Sequence, residues 1–479
     1  MKIRIILITF ILGLFTSCED NATDIVQPGT VIDDVAFETV EDLELGLNGV
    51  YNTYATNAQI RFNAVFTDNA KKGFSSNGQQ QELFNFILNS NSGIAQSIWA
   101  DRYGVINFAN RVIEGSELIE VSEENQNEVD NILGQLIALR SIAYFDLLKY
   151  YTPDYDDPES KSAIYLDFVP DIDQELPRES VQNLFDFIRQ DLLNAQELLN
   201  EDNGVSFVDK DVVKAYRAQL ALYEGDNQLA LDLSNELISK YPLADQNQYL
   251  NMFQNTDTTE VIWQLFKGQG DSQVGGVFFF NSAVEDADPY WEASNQLYNL
   301  VKQDNPADQD FREFVLFGPE TNIVSENSED NIIIINKYPG KGVGQLVNDI
   351  KMMRISEIYL IKAEAQARLT SLPDAAQTVK ELRDARFATP RDLPTYDDLN
   401  DALTDILKER RIELAFEGQR YLDLKRLGGE LNLGVTRNEV DCGSFSAPCA
   451  LPRSSNKFTL PIPQAELNAN SNIEQNPGY

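Results

Sequence analysis

Histidine is missing from all 479 residues. With it goes the side chain that most often acts as a general base near neutral pH or as a metal ligand. Imidazole-based catalytic triads and His-based zinc sites are therefore excluded. Cysteine is scarce, with three in the chain: Cys18, Cys442 and Cys449. Two isolated thiols are too few for a zinc cage. Positive charge is the third shortage, because 38 Lys and Arg stand against 76 Asp and Glu, a formal net charge of −38. Long-range repulsion then works against polyanions. Nucleic acid is a poor partner, since its binding depends on neutralising phosphates with Lys and Arg. Uronate-rich or sulfated polysaccharides are disfavoured less firmly, because a local basic patch overrides a mean charge.

A long apolar run occurs only at the start, where basic Met1-Lys2-Ile3-Arg4 leads into Ile5–Phe15. A membrane-spanning helix needs about 20 apolar residues, so this run reads as a secretory signal over 1–17. It ends Phe15-Thr16-Ser17-Cys18, which resembles the lipobox of bacterial lipoproteins, with Phe15 where Leu is usual. Acyl chains on Cys18 would anchor the chain without spanning, each buried methylene contributing about 0.8 kcal/mol. The polar, acidic stretch that follows, with Pro28-Gly29, makes 18–35 a flexible tether.

What is present from residue 36 onward is a succession of amphipathic helical patterns. They fall at Thr39–Tyr54, Ile98–Ile113, Glu124–Tyr151 and Ser180–Asn200, the last with Ser180 as N-cap. Trp99 lies on the apolar stripe of the second and is assigned to the core. Two helix pairs, Val212–Tyr223 with Asn227–Lys240 and Arg354–Leu369 with Pro373–Arg386, carry small residues such as Ala215, Ala218 and Ala363 that permit close approach. Both pairs have the texture of tetratricopeptide-like hairpins. The expected fold is mainly α: a tetratricopeptide-like helical scaffold over about 36–248 and 345–428, interrupted by a loop-rich, partly β region over about 249–344. A C-terminal loop and tail, 429–479, completes a single domain.

Recognition residues concentrate on loops carried by a rigid scaffold, and sugars stack on flat rings while amides and carboxylates fix their hydroxyls. In the inserted region, Val261–Phe266 and Gly275–Phe280 read as β-like, with Trp263 in the core. Tyr290 and Trp291 follow Pro289 in a polar loop and are the candidate stacking platform. A second polar loop, Asp68–Asn77, adds Asp68, Asn69, Phe74 and Asn77. In an exported protein, Cys442 and Cys449 are expected to form a short-loop disulfide pinning a Gly/Ser segment.

The segment Ile406–Gly428, containing Glu409-Arg410-Arg411-Ile412-Glu413-Leu414 and Glu417-Gly418-Gln419-Arg420, resembles the ERRxELxxEGxRxxDLxR signature of the SusD/RagB family. Tyr421 stands where Trp is frequent. The ending Pro461-Ile462-Pro463…Gln475-Asn476-Pro477-Gly478-Tyr479 is similar to that family's C-terminus. From the residues alone, the ERR segment reads as structure, its acids and arginines pairing within one helix and to its neighbours. The resemblance implies a non-enzymatic, lipid-anchored protein on the outer face of the outer membrane. Such a protein captures oligo- or polysaccharide and delivers it to a SusC-like TonB-dependent transporter, with no cofactor, metal or catalytic residue. Net charge points to a neutral polymer, a β-glucan such as laminarin. Two other classes stay open: a glycoside hydrolase with a carboxylate pair at about 5 or 6.5–9.5 Å, and a tetratricopeptide-like protein-interaction scaffold.

Overall fold

The computed structural model describes residues 36–281, 286–302, 309–342, 344–443 and 446–479. The leader, Cys18 and the tether lie outside the described residues. The first helix, α1 (Val40–Thr53), opens on a capping box: the Thr39 hydroxyl accepts from the Asp42 N–H while the Asp42 carboxylate accepts from the Thr39 N–H. This reciprocal pair satisfies two N–H groups that every helix start leaves unpaired. Next come α2 (Asn57–Val65), the short strand β1 (Ala70–Lys72), and the long helices α3 (Gly93–Ser116) and α4 (Gln126–Tyr151). Then α5 (Val181–Leu198) starts at Ser180, whose side chain accepts from the Asn183 N–H as the sequence expects.

The first small-residue hairpin is α6 (Lys210–Glu224) and α7 (Asn227–Lys240). Its tight turn uses Gly225 at φ +77°, a left-handed conformation that costs glycine little. Asp226 then caps α7 by accepting from the Leu229 N–H. Strands β2 (Val261–Leu265) and β3 (Trp291–Ala293) occupy the inserted region, and β4 (Ile350–Arg354) follows it, in the stretch expected to be helical. The second hairpin, α8 (Ile355–Arg368) and α9 (Leu372–Asp384), leads to α10 (Leu399–Glu413) and α11 (Arg420–Leu427).

Each long helix packs on its predecessor: α3 on α1, α4 on α3, α5 on α4, α6 on α5. The hairpins then stack directly, α7 against α8, although more than a hundred residues separate them. The mainly α, tetratricopeptide-like architecture is thus present. Its principal apolar core draws on residues from Leu43 to Ile473, with smaller clusters under α8–α10 and around Tyr249. No helix among the described residues is long and apolar enough to cross a membrane.

Three expectations are corrected. Gly275–Phe280 makes no strand; Val274–Val277 is a 3-10 turn, and both Phe278 and Phe279 are buried. Two buried neighbours break the in-out alternation of a half-covered strand. The ERR segment is not one helix either, because Phe416 at φ +66° and Gly418 at φ +85° interrupt it between α10 and α11. Nor do its acids pair along the helix. Glu413, fully buried, accepts from Arg354 at 2.8 Å, Arg386 at 3.0 Å and Arg312 at 3.3 Å. Glu260, on the residue before β2, accepts from Arg386 at 2.6 Å and from Arg354 at 3.2 Å. Glu409 joins Arg312 to Arg383, Glu417 joins Arg354 to Lys337, and Asp310 holds Arg312. Five cations face five buried carboxylates, with the partly exposed Asp405 a sixth on Arg383 at the rim, so the buried part is neutral when every member is ionised, the condition under which buried charges are tolerated.

Candidate functional site

The signature arginines reach out of that core to the loop region. Arg420 donates to both oxygens of Asp68 at 2.8 Å, and Arg411 donates to Asn69 Oδ1 at 2.9 Å and to the Asp68 carbonyl at 2.7 Å. Burial alone would raise the Asp68 carboxyl, but the Arg411 and Arg420 guanidiniums prevail and hold it well below the usual carboxylate range. The chain leaves this clamp as β1, antiparallel to β3 with Lys71 opposite Glu292 and Lys72 opposite Trp291. Lys71 and Glu292, both buried, form an ion pair at 2.8 Å.

Beyond β1 the two candidate loops zip together. The Gly73 N–H donates to the Tyr290 carbonyl at 3.0 Å and the Ser75 N–H to the Pro289 carbonyl at 3.1 Å. A Cβ on Gly73 would sit 2.3 Å from the Pro289 oxygen, so this approach requires glycine. Phe74, held between those two hydrogen bonds, is 62 % exposed. It lines a recess of about 440 Å³ with Lys72, Asn77, Glu292, Glu329, Asp330 and Asn331. On the other side of the paired loops, Phe280 is 68 % exposed and meets the half-buried Tyr290 edge-on at 6.3 Å.

The six candidate ligand residues therefore divide. Phe74 and Asn77 are exposed in one recess, and Tyr290 sits half-buried nearby. Trp291 is 1 % exposed and packs on Phe84 at 5.4 Å. That corrects the expectation of a stacking platform: the strand turns the ring inward, away from solvent. Asp68 and Asn69 are buried as well, with their oxygens consumed by arginines, so they hold the loop and do not face solvent. Trp99 and Trp263 are core, as expected. Sequence reasoning missed Lys72, Glu329 and Asp330, which carry no motif, and Phe280, whose two Phe neighbours both turn inward.

Behind the recess, the short helix Glu439–Cys442 places Val440 in its wall. Asp441, fully buried, accepts from the Asn295 side-chain amide at 2.7 Å. Cys442 is bonded to Cys449, their Cα atoms 5.4 Å apart. Among the described residues, no three His, Cys, Asp or Glu side chains gather as a metal site. The recess offers an aromatic ring, an amide and carboxylates, which suits reversible binding of a polyhydroxylated ligand.

Comparison with known proteins places this arrangement. The profile of the SusD family matches residues 216–479, and one described as "Starch-binding associating with outer membrane" matches residues 20–222. The SusD-like protein P2 of Formosa agariphila is 27% identical over 98% of this chain and 99% of its own. A SusD superfamily structure from Bacteroides thetaiotaomicron superposes with a TM-score of 0.78 at 22% identity, covering 92% of this chain and 100% of that one. A protein described as a laminarin-binding SusD-like protein shares the fold at a TM-score of 0.68 and 21% identity, covering 92% of this chain and 100% of its own. With more than half of its length matched by the family profile, the chain belongs to the SusD family of glycan-binding proteins.

Proposed function

We propose that this protein is anchored through Cys18 to the outer face of the outer membrane, captures extracellular oligo- or polysaccharide, and passes it to a SusC-like TonB-dependent transporter. The observation that carries the reading is the exposed Phe74 ring over a recess with Asn77, Glu329 and Asp330 on its walls. An aromatic face beside amide and carboxylate acceptors is the usual provision for a pyranose ring and its hydroxyls. The ligand is a neutral glycan, a β-glucan such as laminarin. Support comes from the net charge of −38 and from a fold neighbour described as laminarin-binding.

The protein acts by binding alone. Glu292, the buried carboxylate of the recess, is neutralised by Lys71 at 2.8 Å, whereas a glycosidase acid needs its proton free for transfer. Affinity electrophoresis of wild type and Phe74→Ala through laminarin, starch, mannan and anionic polysaccharides tests this. Wild type should be retarded by laminarin and the variant at least tenfold less, with no reducing ends released. Equal retardation of both would sink the assignment of the recess. Release of reducing ends by the purified chain would return the hydrolase reading. Recovery of a TonB-dependent transporter with the detergent-extracted protein tests the delivery step.

A further inference from the structure

Lys425 is one of several buried cations of this acidic chain that sit on backbone carbonyls and not against a carboxylate, and it meets the partly exposed Arg453 at one cleft. The cleft measures about 1030 Å³, at the upper end of the roughly 300–1,000 Å³ that ligand sites occupy. It shares no lining residue with the Phe74 recess. One wall is the segment Pro153, Asp154, Tyr155 and Asp156 that follows α4. The buried Lys425 ammonium donates to the carbonyls of Thr152 at 2.7 Å, Lys149 at 2.8 Å and Tyr150 at 3.4 Å, and Arg453 donates to the Lys425 carbonyl at 2.7 Å. Neither forms an ion pair with a carboxylate among the described residues. Arg178 stands behind them on the Tyr151 carbonyl at 3.1 Å.

Apart from the rim carboxylates Asp154 and Asp156, the other charges of the cleft are already matched. Glu364, fully buried, binds Arg426 and Arg368; Glu430 takes the second nitrogen of Arg368; and Glu224 is held by Arg189. What remains open to a ligand is the half-exposed Arg453 above Lys425, the rings of Tyr155 and Tyr223, the amides of Gln182 and Asn227, and the rim carboxylates Asp154 and Asp156. The two tyrosine rings lie 5.2 Å apart at 65°, an open corner and not a closed stack. Burial first, then repulsion from Arg453 and Arg178, holds the Lys425 ammonium well below its ordinary value; an anion bound at Arg453 would oppose both by attraction.

We propose that this cleft is a second saccharide site, selective for a sugar that bears an anionic group. Arg453 takes the carboxylate or sulfate, the buried Lys425 acting only through its charge from beneath, the tyrosines take the ring face, and Gln182, Asn227 and Asp154 take hydroxyls. Acidic glycans thereby enter through a local exception to the negative surface, independently of the Phe74 recess.

The test is isothermal titration of the intact chain with three oligosaccharides: an oligogalacturonate, a sulfated galactan oligomer and a neutral glucan oligomer. Wild type, Arg453→Gln and Phe74→Ala are compared at low and high salt. Binding of an anionic oligomer that weakens with salt, falls at least tenfold in Arg453→Gln and persists in Phe74→Ala is the expected result. Which anionic oligomer binds then identifies carboxylate or sulfate as the group recognised. Should Arg453→Gln unfold, the salt dependence and Phe74→Ala persistence in folded proteins still decide. Absence of binding by both anionic oligomers overturns the proposal. So does binding abolished by Phe74→Ala, or a neutral oligomer that competes equally for the cleft.

Discussion

At the scale of single residues, burial separates side chains that their sequence context made look alike. Phe74 and Trp291 are both aromatics in polar stretches, yet one is 62 % exposed and the other 1 %. Trp291→Ala should therefore cost about 3–5 kcal/mol of stability, seen as a marked fall in Tm, whereas Phe74→Ala should leave Tm within a few degrees and lower glycan affinity. The charged interior gives a second prediction. Removing the Glu413 carboxylate as Glu413→Gln leaves Arg312, Arg354 and Arg386 short of their common acceptor, at a cost of about 3–5 kcal/mol measurable by urea unfolding. Glu364 supplies a pH dependence. Burial opposes its charge, but Arg426 and Arg368 lower it from 4.5 to about 2. Its contribution is complete above the unfolded value and is lost as pH falls from about 4.5 through about 2, roughly 3 kcal/mol in all. In Glu364→Gln the decline in stability over that window should be shallower than in wild type; an unchanged slope would refute the assignment.

Among elements, helices were legible where apolar spacing and caps agreed. Ser180 marked the start of α5, and the small residues of Val212–Tyr223 marked a face of the α6–α7 hairpin that closes tightly. Ser180→Ala should accordingly cost about 0.5–2 kcal/mol in chemical denaturation. Strands and breaks were less legible, since their causes are distant. The turn ending α10 depends on Phe416 in a left-handed conformation, which no local pattern announces for a phenylalanine, and β1 exists because β3 lies opposite it. The candidate site was legible as two loops but not as a surface. Which ring of Phe278-Phe279-Phe280 faces outward, and whether Asp68 meets solvent or an arginine more than three hundred residues away, are settled only by packing. The disulfide closes a short loop beside the recess, with a sequence separation of 7. Replacing both cysteines with serine should lower stability by about 2–3 kcal/mol and loosen the wall formed by Val440, read as weaker glycan retention.

At the scale of the whole molecule, the C-terminal tail acts as a clasp. The Asn476 side-chain amide donates to the Tyr151 carbonyl at 2.9 Å and to the Leu460 carbonyl at 2.7 Å, and Gln475 donates to Ser90 Oγ at 2.9 Å. The tail thereby joins the end of α4 to the chain at Leu460 and to Ser90. Deleting residues 473–479 should lower Tm by several degrees, and a chain without them that melts like wild type would show the clasp to be idle. The neutral cluster around Glu413 adds a constraint in time. Arg312, Lys337 and Arg354 are synthesised before Glu413 and Glu417, and Glu260 before Arg354 and Arg386, the partners that make their burial tolerable. At about 5–20 residues per second, the chain from Glu260 to Glu417 takes roughly ten to thirty seconds to emerge. Through that interval its central charges must stay in water, so the nascent protein is kept open by its own unmatched ions until the last of them arrives.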